Sequence, residues 1–436
     1  MNFDELVDLD RRVVSPRVFT DPEVYAREQE QIFARCWQVV GHESELRENN
    51  DFVTSWVGEE PVFLTRDGIG KIHVFLNSCM HRGVKVCRAE KGKAKTFTCP
   101  YHGWTYRNTG ELSGVPRFKE SYYGKLEREK WGLIEARVEV LHGLVFASFD
   151  KEAPSLDEFL GDMKWYLQFA LDRTPGGMEV VGGTEKVHID ANWKLHADQF
   201  CGDNYHADFT HRSVLMIFPN ADFRDDNSED NCTIRLPGGH GFYRVDSVTT
   251  ENPDKPEIAQ WIHEVTEIRR SRTDRVRAAM LGPGTTCIFT IFPNLSVLST
   301  PEFTQLRLNL PRGPNGQLLV YYMLCDREAP AAYKAAAARS MALGFSASGI
   351  FELDDGTSWA EATATMRGVI RKQKPLNYSM GSGYERLDNE RPGLFSAVPN
   401  EDTVFGFYRG WREAMEFGPQ GHTPTMPREI AAAKPA

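Results

Sequence analysis

A stretch near the middle of the chain, from Ala191 to His211, carries the side chains that a mononuclear redox metal needs. It reads ANWKLHADQFCGDNYHADFTH and contains three histidines and three aspartates within 21 residues. Two imidazoles and one carboxylate on one side of an iron leave other coordination positions open, which is the ligand set of many non-heme iron sites. The stretch therefore predicts a metal site, and the rest of the chain should supply another ligand and a source of electrons.

The spacing of His206 and His211 sets a geometric condition for that site. The two residues are five positions apart, which corresponds to about 140° around a regular α-helix. A straight helix would not bring the two rings together, so we expect a distorted helix with a π-type turn over residues 203 to 211. Asp203, three residues before His206, can accept a hydrogen bond from the second imidazole nitrogen and orient the ring.

A carboxylate ligand has to come from elsewhere, and several candidates exist. The most suggestive is the doublet Asp354 and Asp355 in the sequence FELDDG, which we expect just ahead of a helix capped by Thr357. The alternative is structural, because Asp-Asp-Gly before a helix is also ordinary turn and cap chemistry. The residues alone leave open which aspartate binds metal.

Two short loops further upstream offer a second metal centre. They read CMHRG (79 to 83) and CPYHGW (99 to 104), with 17 residues between His81 and Cys99. Each loop supplies one thiolate and one imidazole, which suits a Rieske-type [2Fe-2S] cluster with two cysteines on one iron and two histidines on the other. Structural zinc would need the same four ligands, but zinc modules usually pair cysteine with cysteine along the sequence.

The elements that must position these residues follow from the hydrophobic pattern. A capping box is predicted at Thr20 and Glu23, with Pro22 in the first turn. It would begin a helix that runs to about Cys36. From 52 to 149, short β-rich runs between polar turns predict an all-β domain of roughly 110 residues. From about residue 154 the pattern becomes mixed, and we expect an antiparallel sheet covered by helices.

Length and composition limit the function classes. A chain of 436 residues allows two or three domains. A net charge of −10 argues against nucleic-acid binding and fits solubility or a basic protein partner. No apolar run is long enough to span a bilayer, the start of the sequence does not read as a secretory signal, and the eight cysteines are scattered, so we expect a cytoplasmic protein with reduced thiols.

Taken together, these motifs resemble the large (α) subunit of Rieske non-heme iron aromatic-ring-hydroxylating dioxygenases. The resemblance continues through IFPNLSVL, FELDDGTSW and YRGW and covers nearly the whole chain. It implies an α+β fold, in which an all-β Rieske domain is inserted near the N-terminus of a larger catalytic domain of the helix-grip type. The implied division is an N-terminal helical segment packing on the catalytic domain (1–37), a Rieske domain (38–153) and a catalytic domain (154–436).

The resemblance also implies roles for individual residues. The implied ligands of the [2Fe-2S] cluster are Cys79, His81, Cys99 and His102. The implied ligands of a mononuclear Fe(II) are His206, His211 and Asp355, the last being the second aspartate of the family's E-x-D-D motif. Asp203 would be a bridging carboxylate that links His206 to a cluster histidine of a neighbouring subunit in an α₃ ring. Electron entry would then require an oligomer.

The implied substrate pocket is mostly apolar, as a flat hydrocarbon requires. Its residues are Gln199, Phe200, Cys201, Leu215, Phe292, Asn294, Leu295, Phe345 and Phe351. The sequence departs from many relatives at Asp198 and Gln199, where Glu-Asn is common, and at Cys201, while His196 adds a polar group nearby. A polar arene, or angular attack on a heteroaromatic ring, therefore stays open.

The implied reaction adds both atoms of O₂ to an aromatic ring and gives a cis-dihydrodiol. Electrons would come indirectly from NADH through a reductase and a ferredoxin, and a small β subunit would complete an α₃β₃ assembly. Two alternatives remain: a Rieske monooxygenase or demethylase built from α chains alone, and an electron-transfer protein without a catalytic iron. The iron content and the fate of ¹⁸O₂ distinguish these possibilities.

Overall fold

The computed structural model describes residues 1–217, 231–246 and 256–421. The described chain forms two compact units, one of Phe33–Ala153 and one of Met1–Ile32 together with Pro154–Ala436. The smaller unit is built from strands, and the larger combines helices with an antiparallel sheet, so the predicted α+β class is confirmed. No helix in the described ranges has the length and apolar character needed to cross a membrane.

The smaller unit consists of three small antiparallel sheets. The first pairs Gln38–His42, Leu144–Ser148 and Arg137–Leu141. The second has the spatial order Ile72–Leu76, Glu60–Arg66, Asp51–Val57 and Lys91–Lys93. The third has the order Leu112–Gly114, Thr105–Arg107 and Thr96–Thr98.

An aromatic core holds the second and third sheets of this unit together. Phe63 lies opposite Phe75 on the neighbouring strand, and its ring centroid is 4.6 Å from that of Phe97 in the third sheet. Cys79 and Cys99 belong to the same buried cluster. Because buried aromatic side chains bring both large contact area and defined geometry, this core fixes where the two cysteine loops begin.

The larger unit is organised around a ten-stranded antiparallel sheet in the part of the chain described. Along its main path the strands follow the order Met178–Val180, Gln317–Asp326, Thr304–Pro311, Leu295–Ser299, Thr285–Ile291, Gly241–Asp246, Cys232–Arg235, Leu394–Ala397 and Arg386–Leu387. Glu185–Ile189 also pairs with Gln317–Asp326. A further small sheet joins Val7–Asp8, Val13–Val14 and Leu376–Asn377.

Helices cover this sheet, as the sequence predicts. Ile258 and Trp261 of one helix and Tyr333 and Met341 of another pack in one core cluster with Leu298 of the sheet. The helices of the larger unit are Phe3–Leu6, Arg17–Thr20, Pro22–Glu28, Leu156–Leu160, Met163–Leu171, Trp193–Gln199, Ala207–Thr210, Arg212–Ile217, Pro256–Arg272, Arg275–Ala279, Ala331–Gly344, Ile350–Met366 and Asp402–Phe417. Short 3₁₀ turns occupy Glu43–Glu45, Arg128–Trp131, Pro237–Gly239, Arg371–Gln373 and Gly418–Gly421.

The N-terminal helix differs in detail from the prediction. Its cap is Asp21, whose side chain accepts from the backbone N–H of Glu23, and Thr20 is not the cap. The α-helix ends at Glu28 and continues as one π-helical turn, Gln29–Phe33. Asp21 takes the cap position because Pro22 then occupies the first helical position, where its missing N–H costs nothing.

A buried ion pair attaches this N-terminal segment to the helix that begins the predicted metal site. Lys194 Nζ lies 2.6 Å from Glu28 Oε1, and neither side chain is exposed to solvent. Trp193 and Trp411 donate their indole N–H groups to the same carboxylate, at 3.0 and 2.8 Å. Buried charge is tolerated only when it is paired and hydrogen-bonded, so these contacts hold Trp193–Gln199 in one orientation.

Candidate metal centres

The two cysteine loops of the smaller unit have nearly the same backbone. In each, the glycine four residues after the cysteine donates its N–H to the cysteine carbonyl, at 2.8 Å for Gly83 and 3.0 Å for Gly103. Both glycines have positive φ, +75° and +72°, a conformation that glycine adopts without steric cost. The loops therefore present their side chains in equivalent ways although the histidine comes two residues after Cys79 and three after Cys99.

The four predicted cluster ligands come together at the ends of these loops. The rings of His81 and His102 have centroids 4.6 Å apart, and His81 is stacked on Trp104. Cys79 and Cys99 are buried, and the hydroxyl of Tyr106 lies 3.3 Å from Cys79 Sγ. His81 Nδ1 is buried without a hydrogen-bond partner among the described residues. A metal would satisfy that nitrogen, and two thiolates with two imidazoles fit a Rieske cluster.

The second site begins where the helix Trp193–Gln199 ends. The chain turns at Gly202 and forms one short helical segment, Ala207–Thr210, between His206 and His211. The predicted π-type turn is wrong, because Thr210 and His211 donate their backbone N–H groups to the carbonyls four residues earlier, as in an α-helix. The two imidazoles nevertheless converge across this segment, with ring centroids 5.1 Å apart.

The carboxylate partner comes from the helix Ile350–Met366. The prediction that the helix begins at a Thr357 cap, just after the doublet, is wrong, because residues 354 to 357 lie inside this helix. Its buried face carries Glu352, Asp355, Trp359, Thr363 and Met366, at intervals of three or four residues. This spacing is that of one helix face, and it directs the side chain of Asp355 toward the protein interior.

Three contacts, made by two residues of that helix, fix it against the rest of the unit. Arg307 and Tyr321 are opposite each other on neighbouring strands, and both reach Glu352: an ion pair of 2.8 Å and a hydrogen bond of 2.6 Å. Further along, Trp359 Nε1 donates to Gln199 Oε1 at 2.7 Å. The sheet and the helix Trp193–Gln199 together therefore determine where Asp355 lies relative to the histidines.

The resulting arrangement places three potential ligand atoms in one small volume. Asp355 Oδ1 lies 3.6 Å from His206 Nε2 and 3.4 Å from His211 Nε2. One ligand atom from each of the three residues lies within 4.8 Å of the other two. Two imidazole nitrogens and a carboxylate oxygen fit a divalent iron that keeps further positions open. His211 and Asp355 are buried and His206 is partly buried.

Two of the three groups, Asp355 and His206, have raised pKa values, and a bound cation would lower both. Burial raises the pKa of Asp355 to about 7, because a charged carboxylate is poorly solvated there. Burial would lower the pKa of His206, but the hydrogen bond and charge of Asp203, with the charge of Asp355, raise it to about 9. Burial and the charge of His206 lower the pKa of His211 to about 4. A metal ion would supply the positive charge that a buried carboxylate needs, and it binds neutral imidazole.

Asp203 has the position predicted for it beside His206. Its Oδ2 lies 3.4 Å from His206 Nδ1, on the side of the ring opposite to the metal-facing nitrogen. Its Oδ1 accepts from the backbone N–H groups of Tyr205 and His206, at 3.0 and 3.3 Å. Burial opposes ionisation of Asp203, but the contact with His206 keeps its pKa below the ordinary value. Asp198, by contrast, bonds with the hydroxyl of Tyr408, and Asp208 is exposed.

Some predicted pocket residues lie at the candidate metal site. Gln199 Nε2 is 3.3 Å from His206 Nε2, and its amide is oriented by the bond from Trp359 to its oxygen. The ring of Phe351 meets His211 edge-on at 5.1 Å, and Phe345 stacks on Phe351 at 4.8 Å. An amide and the ring of Phe351 thus lie next to the potential ligands, and Phe345 is stacked on the ring of Phe351.

The other predicted pocket residues have different surroundings. Phe200 stacks on His196, Cys201 Sγ is 3.7 Å from the carbonyl of Gly239, and Phe292 packs with Trp193 and Phe407. Asn294 and Leu295 are buried at the start of a sheet strand. The backbone of Leu215 belongs to the helix Arg212–Ile217, but its side chain lies outside the described residues. Their role in substrate binding stays a prediction.

Sequence reasoning missed three residues that position the site: Trp359, Glu352 and Arg307. A signal was present for the first two, because residues 352, 355, 359, 363 and 366 follow a helical period. It was overlooked because the Asp-Asp-Gly sequence suggested a turn. Arg307 gave no local signal, since its role depends on a cross-strand neighbour and on a helix some 45 positions later in the chain.

Comparison with known proteins assigns the two parts of the chain to known domains. Residues 36–131 match the Rieske [2Fe-2S] domain, and residues 178–417 match the catalytic domain of the ring-hydroxylating alpha subunit. The chain is 38% identical over 424 residues to the alpha subunit of biphenyl 2,3-dioxygenase from Rhodococcus jostii, covering 94% of this chain and 90% of the relative. It is 33% identical over 431 residues to the alpha subunit of N,N-dimethyl phenylurea N-demethylase from a Sphingobium species, covering 92% and 91%.

A solved structure supports the same relationship. Naphthalene 1,2-dioxygenase from a Rhodococcus species, bound to indole, superposes with a TM-score of 0.86 at 35% identity, covering 95% of this chain and 96% of that one. The family predicted from the sequence motifs is therefore confirmed. The chain belongs to the ring-hydroxylating oxygenase alpha subunits, with a Rieske [2Fe-2S] domain ahead of a non-heme iron catalytic domain.

Proposed function

We propose that this chain is the catalytic subunit of a terminal oxygenase that adds both atoms of O₂ to adjacent carbons of an aromatic ring, giving a cis-dihydrodiol. The observation that carries the proposal is the cluster of His206, His211 and Asp355 within 4.8 Å, beside the rings of Phe351 and Phe345. The named activities of relatives on biphenyl and naphthalene support a substrate of one or two aromatic rings.

The proposed metal ligands divide between the two centres. Cys79, His81, Cys99 and His102 would hold the [2Fe-2S] cluster, and His206, His211 and Asp355 the Fe(II). When bound, these metals supply electron transfer and O₂ activation. The protein side chains bind and orient the ring: the aromatic rings of Phe351 and Phe345 offer flat apolar contact, and the Gln199 amide offers one polar group. Apolar walls also exclude water from the reacting carbons.

We further propose that Asp203 carries electrons between chains, from a cluster histidine of a second copy to His206. An ionised carboxylate can accept from two imidazoles at once through charge-assisted hydrogen bonds. Exposed aromatic residues flank both ends of this path: Tyr205 and Phe209 near Asp203, and Tyr101 next to His102. Exposed apolar side chains at such positions favour contact with another protein surface, which supports contact between α chains. We propose that this contact builds the α₃ core that the family resemblance implies and, with a small β subunit, an α₃β₃ assembly.

Electrons would reach the cluster from NADH through a reductase and a ferredoxin. The segment from 82 to 95 supports an acidic donor, because it carries exposed Arg82, Lys85, Arg88, Lys91, Lys93 and Lys95 against a single acid, Glu90. A cleft of about 450 Å³ lies beside it. Val84 and Pro100 line this cleft, and each adjoins one of the two cysteine loops. A basic rim close to the cluster attracts and orients an acidic partner.

The compact units, and the absence of a disulfide among the described cysteines, support two further proposals. The first is the division into an N-terminal segment (1–37), a Rieske domain (38–153) and a catalytic domain (154–436). The second is a cytoplasmic location, where thiols stay reduced.

The test uses the purified α chain with its β subunit, a ferredoxin and a reductase, supplied with NADH and biphenyl or naphthalene under ¹⁸O₂. We expect a dihydrodiol that carries two ¹⁸O atoms. One ¹⁸O atom in the product would instead favour the monooxygenase or demethylase alternative, which the N-demethylase relative keeps open. Iron analysis tests the electron-carrier alternative: about three irons and two acid-labile sulfides per chain support an oxygenase, and about two irons oppose it.

A further inference from the structure

The two adjacent aspartates of the helix Ile350–Met366 both reach the same imidazole. Asp355 Oδ1 lies 3.4 Å from His211 Nε2, and Asp354 Oδ2 lies 3.7 Å from His211 Nδ1. The two aspartates therefore lie on opposite sides of the His211 ring, with one carboxylate near each ring nitrogen. Only Asp355 belongs to the group of atoms that converge with His206.

The contact between Asp354 and His211 joins two buried polar atoms. Asp354 Oδ2 and His211 Nδ1 are both buried, and neither has a hydrogen-bond partner among the described residues. A buried polar atom without a partner loses the hydrogen bonds that water would give it, which is unfavourable. The two atoms face each other at 3.7 Å, an ion-pair distance that is longer than a hydrogen bond. The side chain of Asp354 is thus aimed at the ring although the residue itself is only partly buried.

A second carboxylate stands in the same relation to the other histidine. Asp203 Oδ2 lies 3.4 Å from His206 Nδ1, and His206 Nε2 faces Asp355. Each histidine thus has one nitrogen at the metal position and a carboxylate behind the other nitrogen. Such a carboxylate fixes the tautomer and the ring orientation of a ligating histidine.

We propose that Asp354 is the positioning residue for His211, and that the aspartate doublet divides two tasks between neighbouring residues. Asp355 supplies a metal ligand. Asp354 serves as the acceptor for the Nδ1–H group of His211, so that the proton stays on Nδ1 and Nε2 is left free for the metal. This inference rests on the proposed iron site. It also separates Asp354 from Asp203: Asp203 lies on the proposed electron path through His206, whereas Asp354 acts on the histidine outside that path.

The test compares Asp354→Ala and Asp354→Asn in the full chain carrying its cluster. Alanine removes the acceptor, and asparagine keeps an acceptor oxygen without the charge. We expect Asp354→Ala to bind Fe(II) about 10–100-fold more weakly, measured by titration of Fe(II) against a competing chelator, and to change the EPR spectrum of the nitric oxide adduct. Asp354→Asn should recover most of the affinity. Ser358→Ala, on the same helix and exposed, is the matched control.

Folding of the variants is checked by the absorption and EPR spectra of the [2Fe-2S] cluster and by the unfolding transition, which should stay as in the wild type. Alanine suits a helix interior, and this position is partly exposed, so loss of the fold is not expected. The variant Asp355→Ala distinguishes a failure of the positioning role of Asp354 from a failure of the proposed iron site. Iron binding lost in Asp355→Ala but normal in Asp354→Ala would overturn the positioning role alone. Normal binding in Asp355→Ala would overturn the iron site and the role of Asp354 with it.

Discussion

Asp203 is the residue on which the proposed electron path depends. Substitution by asparagine keeps an oxygen that can accept the backbone N–H groups of Tyr205 and His206, so the local turn should survive. The loss is the negative charge that would bridge two imidazoles. We expect Asp203→Asn to keep both metals and to lower NADH-driven turnover by about 10–100-fold. Turnover at the wild-type rate with the protein donors would contradict the bridge, and Asp208→Asn, at an exposed position, is the control.

Tyr106 is a second residue with a measurable effect, this time on the cluster. Its hydroxyl lies 3.3 Å from Cys79 Sγ and accepts from the backbone N–H of Met80. A thiolate ligand carries no proton, so the tyrosine is the donor when the cluster is bound. A hydrogen bond to sulfur stabilises the reduced cluster, and Tyr106→Phe should lower its midpoint potential by an amount on the order of tens of millivolts. Voltammetry measures this, with the exposed Tyr101→Phe as control; an unchanged potential would exclude the role.

At the scale of elements, the helix Ile350–Met366 links the sheet to the candidate metal site. The sheet therefore determines where Asp355 lies. Glu352 joins the helix to Arg307 and Tyr321, and Asp355 lies on the same face three residues later. Glu352→Gln leaves the buried Arg307 without a counter-charge. Removal of one partner from a buried pair costs about 3–5 kcal/mol, so we expect that loss of unfolding free energy in the denaturation of the catalytic unit, together with weaker Fe(II) binding. Glu361→Gln, on the exposed face of the helix, should change neither quantity.

For the whole molecule, the distribution of charge matters more than its sum. The chain has a net charge of −10, which by itself suggested a basic partner, yet the segment beside the cluster loops is strongly basic. Charge reversal by Lys85→Glu with Arg88→Glu should reduce the kcat/KM for the ferredoxin by about tenfold at low salt, mainly through KM. Reduction of the cluster by dithionite should be unaffected, and Lys151→Glu serves as an exposed control in the same unit.

The salt dependence of this reaction gives an independent check. At physiological ionic strength, exposed charges that are more than about 8–10 Å apart are largely screened from each other. The difference between the wild type and the charge-reversal variant should therefore shrink as salt is added. A variant with the same KM for the ferredoxin as the wild type at low salt would show that the donor does not use this surface.

The sequence alone determined the family and the two kinds of metal chemistry, because most of the residues involved are close together along the chain. Cys79 and His81 share one five-residue loop, Cys99 and His102 share another, and His206 and His211 are separated by four residues. Local turns bring such groups together whatever the rest of the fold does. The α+β class was also predictable, because hydrophobic periodicity differs between strands and helices.

The tertiary structure decided how the distant parts meet. Asp355 is 144 residues beyond His211, and it reaches the histidines only because Glu352 is bound by Arg307 and Tyr321 from adjacent strands. Those two side chains become neighbours when the sheet forms, so no local pattern can reveal them. The same packing continues the helix through the Asp-Asp-Gly sequence and turns Asp354 toward His211 Nδ1. Sequence supplied the chemical groups, and long-range packing decided which atom of each one faces the metal position.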